Sequence, residues 1–107
     1  MEWPPIVERM YELNVWLVGK ASRFPKDQRF LLGTRIIMKT LDIQDRLLAA
    51  ALMPSGPDKR DRLANLDLEL ERLRYLLRLA KDVRCLSPRA WHYAAGLLLE
   101  IGRSLGG

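Results

Sequence analysis

One histidine, one cysteine and thirteen carboxylates are the residues of this chain with acid–base, nucleophilic or metal chemistry to offer. His92 stands between Trp91 and Tyr93, with no second histidine and no neighbouring cysteine to share a metal. It reads as a surface or boundary residue. A lone Cys85 forms no internal disulfide and builds no thiolate metal site; just before a helix–helix turn, it reads as a small apolar plug. Asp61, Asp67, Glu69, Glu71 and Asp82 cluster on one segment, but bases stand at helical spacing: Asp58 with Arg62, Glu69 with Arg72, Glu71 with Arg74, Arg78 with Asp82. Such pairs are solvated salt bridges worth roughly a few tenths of a kcal/mol each, not an acid–base dyad. The seven glycines form neither a phosphate loop nor a dinucleotide fingerprint. No enzyme, metal or cofactor is expected.

Cations are the other chemically useful group. Arg74, Arg78 and Lys81 recur at i, i+4 and i+7, one stripe of a helix, with Arg84 beyond them; Arg23, Lys26 and Arg29 surround the first turn. Taken singly, each reads as a solvated face or a complement to a helix C-terminus. As a set they suit phosphate. Eighteen Lys and Arg against thirteen Asp and Glu leave a net charge of +5, which favours RNA or DNA as a partner. The excess is spread along the chain and forms no basic tail, so a phosphate-binding surface has to be built by folding or assembly. The aromatics are not interleaved with the basic stripe, so base-specific readout is not expected.

The elements that must position these residues are cut out by proline and glycine. Pro4-Pro5 opens a helix over 5–23, proline losing only an N–H that had no partner at the first helical position. Pro25 closes it by disfavouring helical geometry at Phe24. A second helix covers 27–52, and Met53-Pro54-Ser55-Gly56-Pro57 breaks the chain. A third covers 59–84, with Asp58 as its cap. Ser87-Pro88 starts the fourth, over 88–104, and Gly106-Gly107 end it. The loops are 24–26, 53–58 and 85–87. Ile6, Met10, Leu13 and Leu17 form the inner face of the first helix; Phe30, Ile37, Leu41 and Leu48 that of the second. Leu63, Leu66, Leu70, Leu73, Leu77 and Ala80 make a heptad seam in the third, and Trp91, Ala94, Leu98, Ile101 and Leu105 line the fourth. Short loops between long helices predict one domain over 1–107, all-α, an up-down-up-down antiparallel four-helix bundle. Gly33, Gly96 and Gly102 lie inside helical patterns, which costs about 1 kcal/mol each relative to alanine, so close helix approach is expected there. Leu68, Tyr75, Leu76, Leu79 and Val83 form a second apolar stripe off the seam, and the first helix is apolar nearly all round from Leu13 to Val18. Large apolar patches are rare on monomers, so Leu68, Leu76, Leu79 and Val83 are expected at a subunit interface. No apolar run reaches the ~18 residues of a membrane span, and the N-terminus lacks a secretory pattern. With the single cysteine, this predicts a cytoplasmic protein with no membrane partner.

Three stretches carry a family resemblance: Phe24-Pro25-Lys26-Asp27-Gln28-Arg29-Phe30-Leu31-Leu32-Gly33-Thr34-Arg35-Ile36, Leu73-Arg74-Tyr75-Leu76-Leu77-Arg78-Leu79-Ala80-Lys81-Asp82, and Glu100-Ile101-Gly102-Arg103-Ser104-Leu105-Gly106-Gly107. In order, spacing and loop position the chain from about residue 5 resembles the accessory variability determinant (Avd) family of diversity-generating retroelements. That family lies within a wider group of small four-helix bundles that includes proteins encoded in intervening sequences of 23S ribosomal RNA genes. The resemblance implies a basic, non-catalytic protein that assembles as a barrel-like homopentamer, binds nucleic acid, associates with the element's reverse transcriptase, and supports mutagenic copying of a template RNA. It places nucleic-acid or polymerase contacts at Lys26, Arg29, Arg35, Arg74, Arg78, Lys81 and Arg103. Ser104 departs from the larger apolar residue common there, and the chain stops at Gly107 without the extension many relatives carry. The alternative is a structural bundle of the ribosomal intervening-sequence type, with an RNA-binding role or none known.

Overall fold

A computed structural model describes residues 3–105; Gly106-Gly107, expected to end the last helix, lie outside them. Four helical rods form where proline, glycine and the 3–4 periodicity mark them, and no strand occurs among the described residues. α1 spans Pro5–Ala21, with proline at its first position and no side-chain cap. The second rod is built from α2 (Lys26–Gln28), a π-helical turn (Arg29–Gly33) and α3 (Thr34–Ala51); Gln28, Arg29, Gly33 and Thr34 all keep right-handed helical dihedrals, so the three run on as one. α4 spans Pro57–Asp82 and α5 Pro88–Leu105. α1 packs on α3 and α5, and α4 packs on α3 and α5. Each helix thus lies beside its neighbours in sequence and the last returns to the first, in a bundle of 44 × 21 × 20 Å. This is the expected up-down-up-down arrangement. Among the described residues, none of the helices is long and apolar enough to cross a membrane.

The seams fill one core. Met10, Leu13 and Leu17 of α1, Leu66, Leu70, Leu73, Leu77 and Ala80 of α4, and Ala94, Leu98, Ile101 and Leu105 of α5 are buried, as the spacing predicts; Ile6, Leu63 and Trp91, expected on the same faces, pack half-buried against the core. α3 departs. Its core residues are Ile36, Ile43, Leu47 and Ala50, joined by Leu32 of the π turn, whereas Phe30 of that turn is 80% exposed and Leu41 lies at the surface. The expected face (Phe30, Ile37, Leu41, Leu48) is a neighbouring stripe. Two causes combine. Thr40, fully buried in the middle of the true seam, interrupts its apolar pattern. In the π turn the Thr34 N–H reaches back five residues to the Arg29 carbonyl, and that extra residue per turn shifts everything before it out of register with α3.

Two caps also differ. Gly56, in an extended conformation at φ 157 that side chains rarely adopt, precedes α4. Pro57 takes the first helical position, so Asp58 stands within the first turn and makes no cap. Ser87 does cap α5, its Oγ accepting the Ala90 N–H at 3.1 Å. Of the three interior glycines only Gly33 is close to a neighbour: a Cβ there would lie 3.4 Å from the Ala21 carbonyl and 3.5 Å from the Phe24 ring. Gly96 faces open space, and at Gly102 the nearest atom is an Asp67 oxygen at 3.8 Å. Close helix approach is therefore not the reason for either.

Polar groups inside the bundle are paired across helices. Thr40 Oγ1 donates to Asn14 Oδ1 at 2.6 Å, and Asn14 Nδ2 donates to Gln44 Oε1 at 2.5 Å. Glu69, expected on a solvated face, is only 5% exposed. It binds Lys39 Nζ at 2.7 Å across α3–α4 and Arg72 Nη1 at 2.6 Å along α4. The Lys39 hydrogen bond holds its carboxyl below the usual carboxylate range; burial opposes this, and the Lys39 and Arg72 charges reinforce it. No buried side-chain nitrogen or oxygen lacks a partner among the described residues.

Two expectations follow. Because Glu69 titrates lower folded than unfolded, its stabilisation is full above the ordinary glutamate range and disappears as pH falls through the depressed folded value. Glu69→Gln should flatten the acid limb of the stability profile, from the ordinary glutamate range downward, read as urea midpoints; an unchanged limb would show the pair to be inert. Second, Arg84, just beyond the end of α4, sits at φ 67, the left-handed position that glycine usually holds, while the Cys85 and Leu86 N–H groups both return to the Ala80 carbonyl at 2.7 and 3.2 Å. Arg84→Gly should stabilise the fold by about 1 kcal/mol, seen as a higher denaturant midpoint.

Candidate nucleic-acid interface

Once the seam Leu66–Leu70–Leu73–Leu77–Ala80 faces inward, the rotation of α4 is set, and each residue steps about 100° around it. Leu68, Leu76, Leu79 and Val83 then fall on the flank toward α3, and Arg74, Arg78 and Lys81 toward α5. The grooves agree. Between α3 and α4, an open groove of about 780 Å³ is lined by Leu68, Tyr75, Leu76 and Leu79 together with Arg35, Lys39 and Arg72. Between α4 and α5, Arg74 and Arg103 share a smaller groove with Asp67, Glu71 and Gly102, and Lys81 and Arg84 share another with Trp91 and His92. Gly102 is groove lining, which is why space surrounds it.

The expected site residues therefore divide. Arg74, Arg78 and Lys81 form one stripe along the α4–α5 side. Arg103 joins its far end, but in the company of Asp67 and Glu71. Arg35 lies on the other side of α4, among the residues expected at a subunit interface. Lys26 and Arg29 sit at the α1–α2 turn. Arg29 is partly occupied there, its Nε donating to the Phe24 carbonyl at 3.3 Å. The stripe cations make only long pairs: Arg74 with Glu71 at 3.7 Å and Arg78 with Asp82 at 3.9 Å, both exposed, and half-buried Lys81 with exposed Asp82 at 3.5 Å. Such pairs contribute little to stability and leave the cations free to exchange partners. Asp58 and Arg62 form no ion pair.

Folding concentrates the charge. The antiparallel topology brings the α1–α2 turn and the α4–α5 turn to one end of the bundle; the Trp16 and Tyr93 rings pack tilted, centroids 4.9 Å apart, just inside it. The half containing residues 15–38 and 70–96 holds eleven of the eighteen cations and three anions, a net +8. The other half, among the described residues, holds seven cations and nine anions, a net −2. Lys20 and Arg89 belong to this basic pole with Arg84, and were missed by stripe reasoning along single segments. Pairing the turns through the topology is the signal that finds them.

Aromatics go with the cations, against the expectation that they would not. Lys20 Nζ lies 5.5 Å from the Trp16 ring centroid, Arg78 Cζ 5.9 Å from Tyr75, and Lys81 Nζ 5.4 Å from Trp91. Cys85 is half-buried at the same end; burial pushes its thiol up, and the Asp27 carboxylate adds to the effect. A thiol so held is a poor nucleophile.

The class defined by fold and surface is a four-helix bundle with a basic, aromatic-bearing pole. The sequence model described as bAvd-like matches residues 6–107, and the chain belongs to that family. No curated protein matches it.

Proposed function

We propose that this protein is the accessory subunit of a diversity-generating retroelement, a non-enzymatic bundle that binds nucleic acid and the element's reverse transcriptase and supports mutagenic copying of template RNA. Membership of the bAvd-like family favours this over a structural role of the ribosomal intervening-sequence type. The observation that carries the binding half of the proposal is the net +8 pole with its Arg74–Arg78–Lys81 stripe, because clustered cations gain affinity from counterions released by phosphate. The contacted groups repeat along any strand, so binding is steep in salt and indifferent to sequence.

The protein works as a homo-oligomer. Two unlike apolar faces flank α3: the groove against α4, where Tyr75 and Leu79 are exposed, and the α1 side, where Tyr11, Val15, Val18 and Leu41 are exposed. The first carries Arg35, Lys39 and Arg72 against one carboxylate, Glu71, and the second carries Glu8. Unlike faces of opposite charge excess suit head-to-tail contact, which forms a ring where the rotation between neighbours closes. The number five comes from the family resemblance alone.

Since the stripe and the apolar flank lie on opposite sides of α4, the two roles separate by mutation. Arg74→Glu, Arg78→Glu and Lys81→Glu together should weaken binding of an RNA or DNA oligomer roughly tenfold or more at low salt and flatten its salt slope, with mass by light scattering unchanged. Leu79→Glu should lower the mass. Wild-type affinity in the triple variant would make the stripe a solvated face; its dissociation to monomers would make those residues interface pairs.

A further inference from the structure

We propose that the groove at the α4–α5 turn is a stacking site for one unpaired base of a nucleic-acid strand, with Trp91 as the platform and Lys81 and Arg84 on the adjoining phosphates. The inference rests on the nucleic-acid-binding reading above and names the form of nucleic acid it selects. Three observations carry it. The groove is open, about 670 Å³, and Trp91 shares its lining with Lys81, Arg84 and His92. The Lys81 ammonium lies over the Trp91 ring at 5.4 Å, so the side chain covering the indole is a flexible cation. It can swing from the ring to a phosphate when a base takes its place. Arg84 holds a left-handed backbone position at φ 67. A glycine would hold that turn with less strain, so the turn itself does not call for the guanidinium that lines the groove.

The groove also contains Asp82, the one carboxylate in its lining. Its contacts, 3.5 Å to Lys81 and 3.9 Å to Arg78, are long and the Asp82 carboxylate itself is exposed, so a phosphate outcompetes it without leaving a buried charge. A duplex has its bases already stacked and offers this site phosphates alone. An unpaired strand offers a π-face as well, and stacking one base on an aromatic ring is worth about 1–3 kcal/mol, or about 5- to 150-fold in affinity.

The test uses the wild-type full chain and three labelled probes of equal length in one buffer: oligo-dT, an abasic deoxyribose-phosphate strand, and a hairpin duplex. Fluorescence anisotropy should show oligo-dT binding at least about fivefold more tightly than the abasic strand, with equal salt slopes because the phosphates are the same. Trp91→Leu should remove most of that difference while leaving abasic affinity unchanged, and Trp91→Phe should restore much of it. Arg84→Gly should weaken all three probes alike. Equal affinity of oligo-dT and abasic strands overturns the stacking site while leaving the phosphate-binding reading intact, and that comparison needs no variant to fold. A difference that survives Trp91→Leu also overturns it. Failure of every probe to bind at low salt overturns both readings together.

Discussion

The burial of one seam on α4 governs the rest of the molecule. Leu66, Leu70, Leu73, Leu77 and Ala80 have to face inward, and a helix has a single rotational freedom to satisfy that demand. Everything else on α4 is then placed. The apolar flank looks along α3, the cationic flank along α5, and Glu69 arrives at the edge of the core opposite Lys39. Removing Lys39 or Arg72 would leave the buried carboxylate short of partners, a larger loss than any surface pair brings. The ion triad thus holds α3 and α4 at the level where their exposed flanks make the broad groove.

Topology then adds what no single helix has. The net +5 of the chain is not a uniform coat, because connecting antiparallel helices through short turns carries residues 20–29 and 81–89 to the same end. Carboxylates accumulate toward the opposite end. A polyanion meets a field with direction, and an oligomer that keeps the poles aligned would sum them. On the proposed reading, assembly uses the flanks of α3, taking Arg35 and Arg72 with it, and strand binding uses the α4–α5 side of the pole.

Much of this was legible in the sequence. The four helices, their turns and the inner faces of α1, α4 and α5 follow from proline placement and 3–4 spacing, since each seam is an unbroken run of apolar residues. The inner face of α3 did not follow. Thr40 puts a hydroxyl in its middle and satisfies it through Asn14, a partner twenty-six residues away, while the π turn displaces Phe30. Glu69 looked like its neighbours because a carboxylate with an arginine three residues on has the same local pattern whether buried or exposed. Lys39, which distinguishes it, is remote in sequence. The stripe of Arg74, Arg78 and Lys81 was legible from spacing. Its pairing with Trp91 and Tyr75, and the pole it belongs to, required the helices to be laid side by side.

Chemical footprinting of the five lysines offers the sharpest trial of the charge segregation. Lys20, Lys26 and Lys81 lie in the basic half, while Lys39 and Lys59 lie in the other. Acetylation of the full chain, with and without a saturating single-stranded oligonucleotide, followed by mass spectrometry, reports each amine separately. Protection of Lys26 and Lys81, with Lys59 reacting as fast as in the free protein, is the outcome that a basic binding pole requires. Equal protection of all five, or protection of Lys59 with Lys81 left reactive, would contradict it.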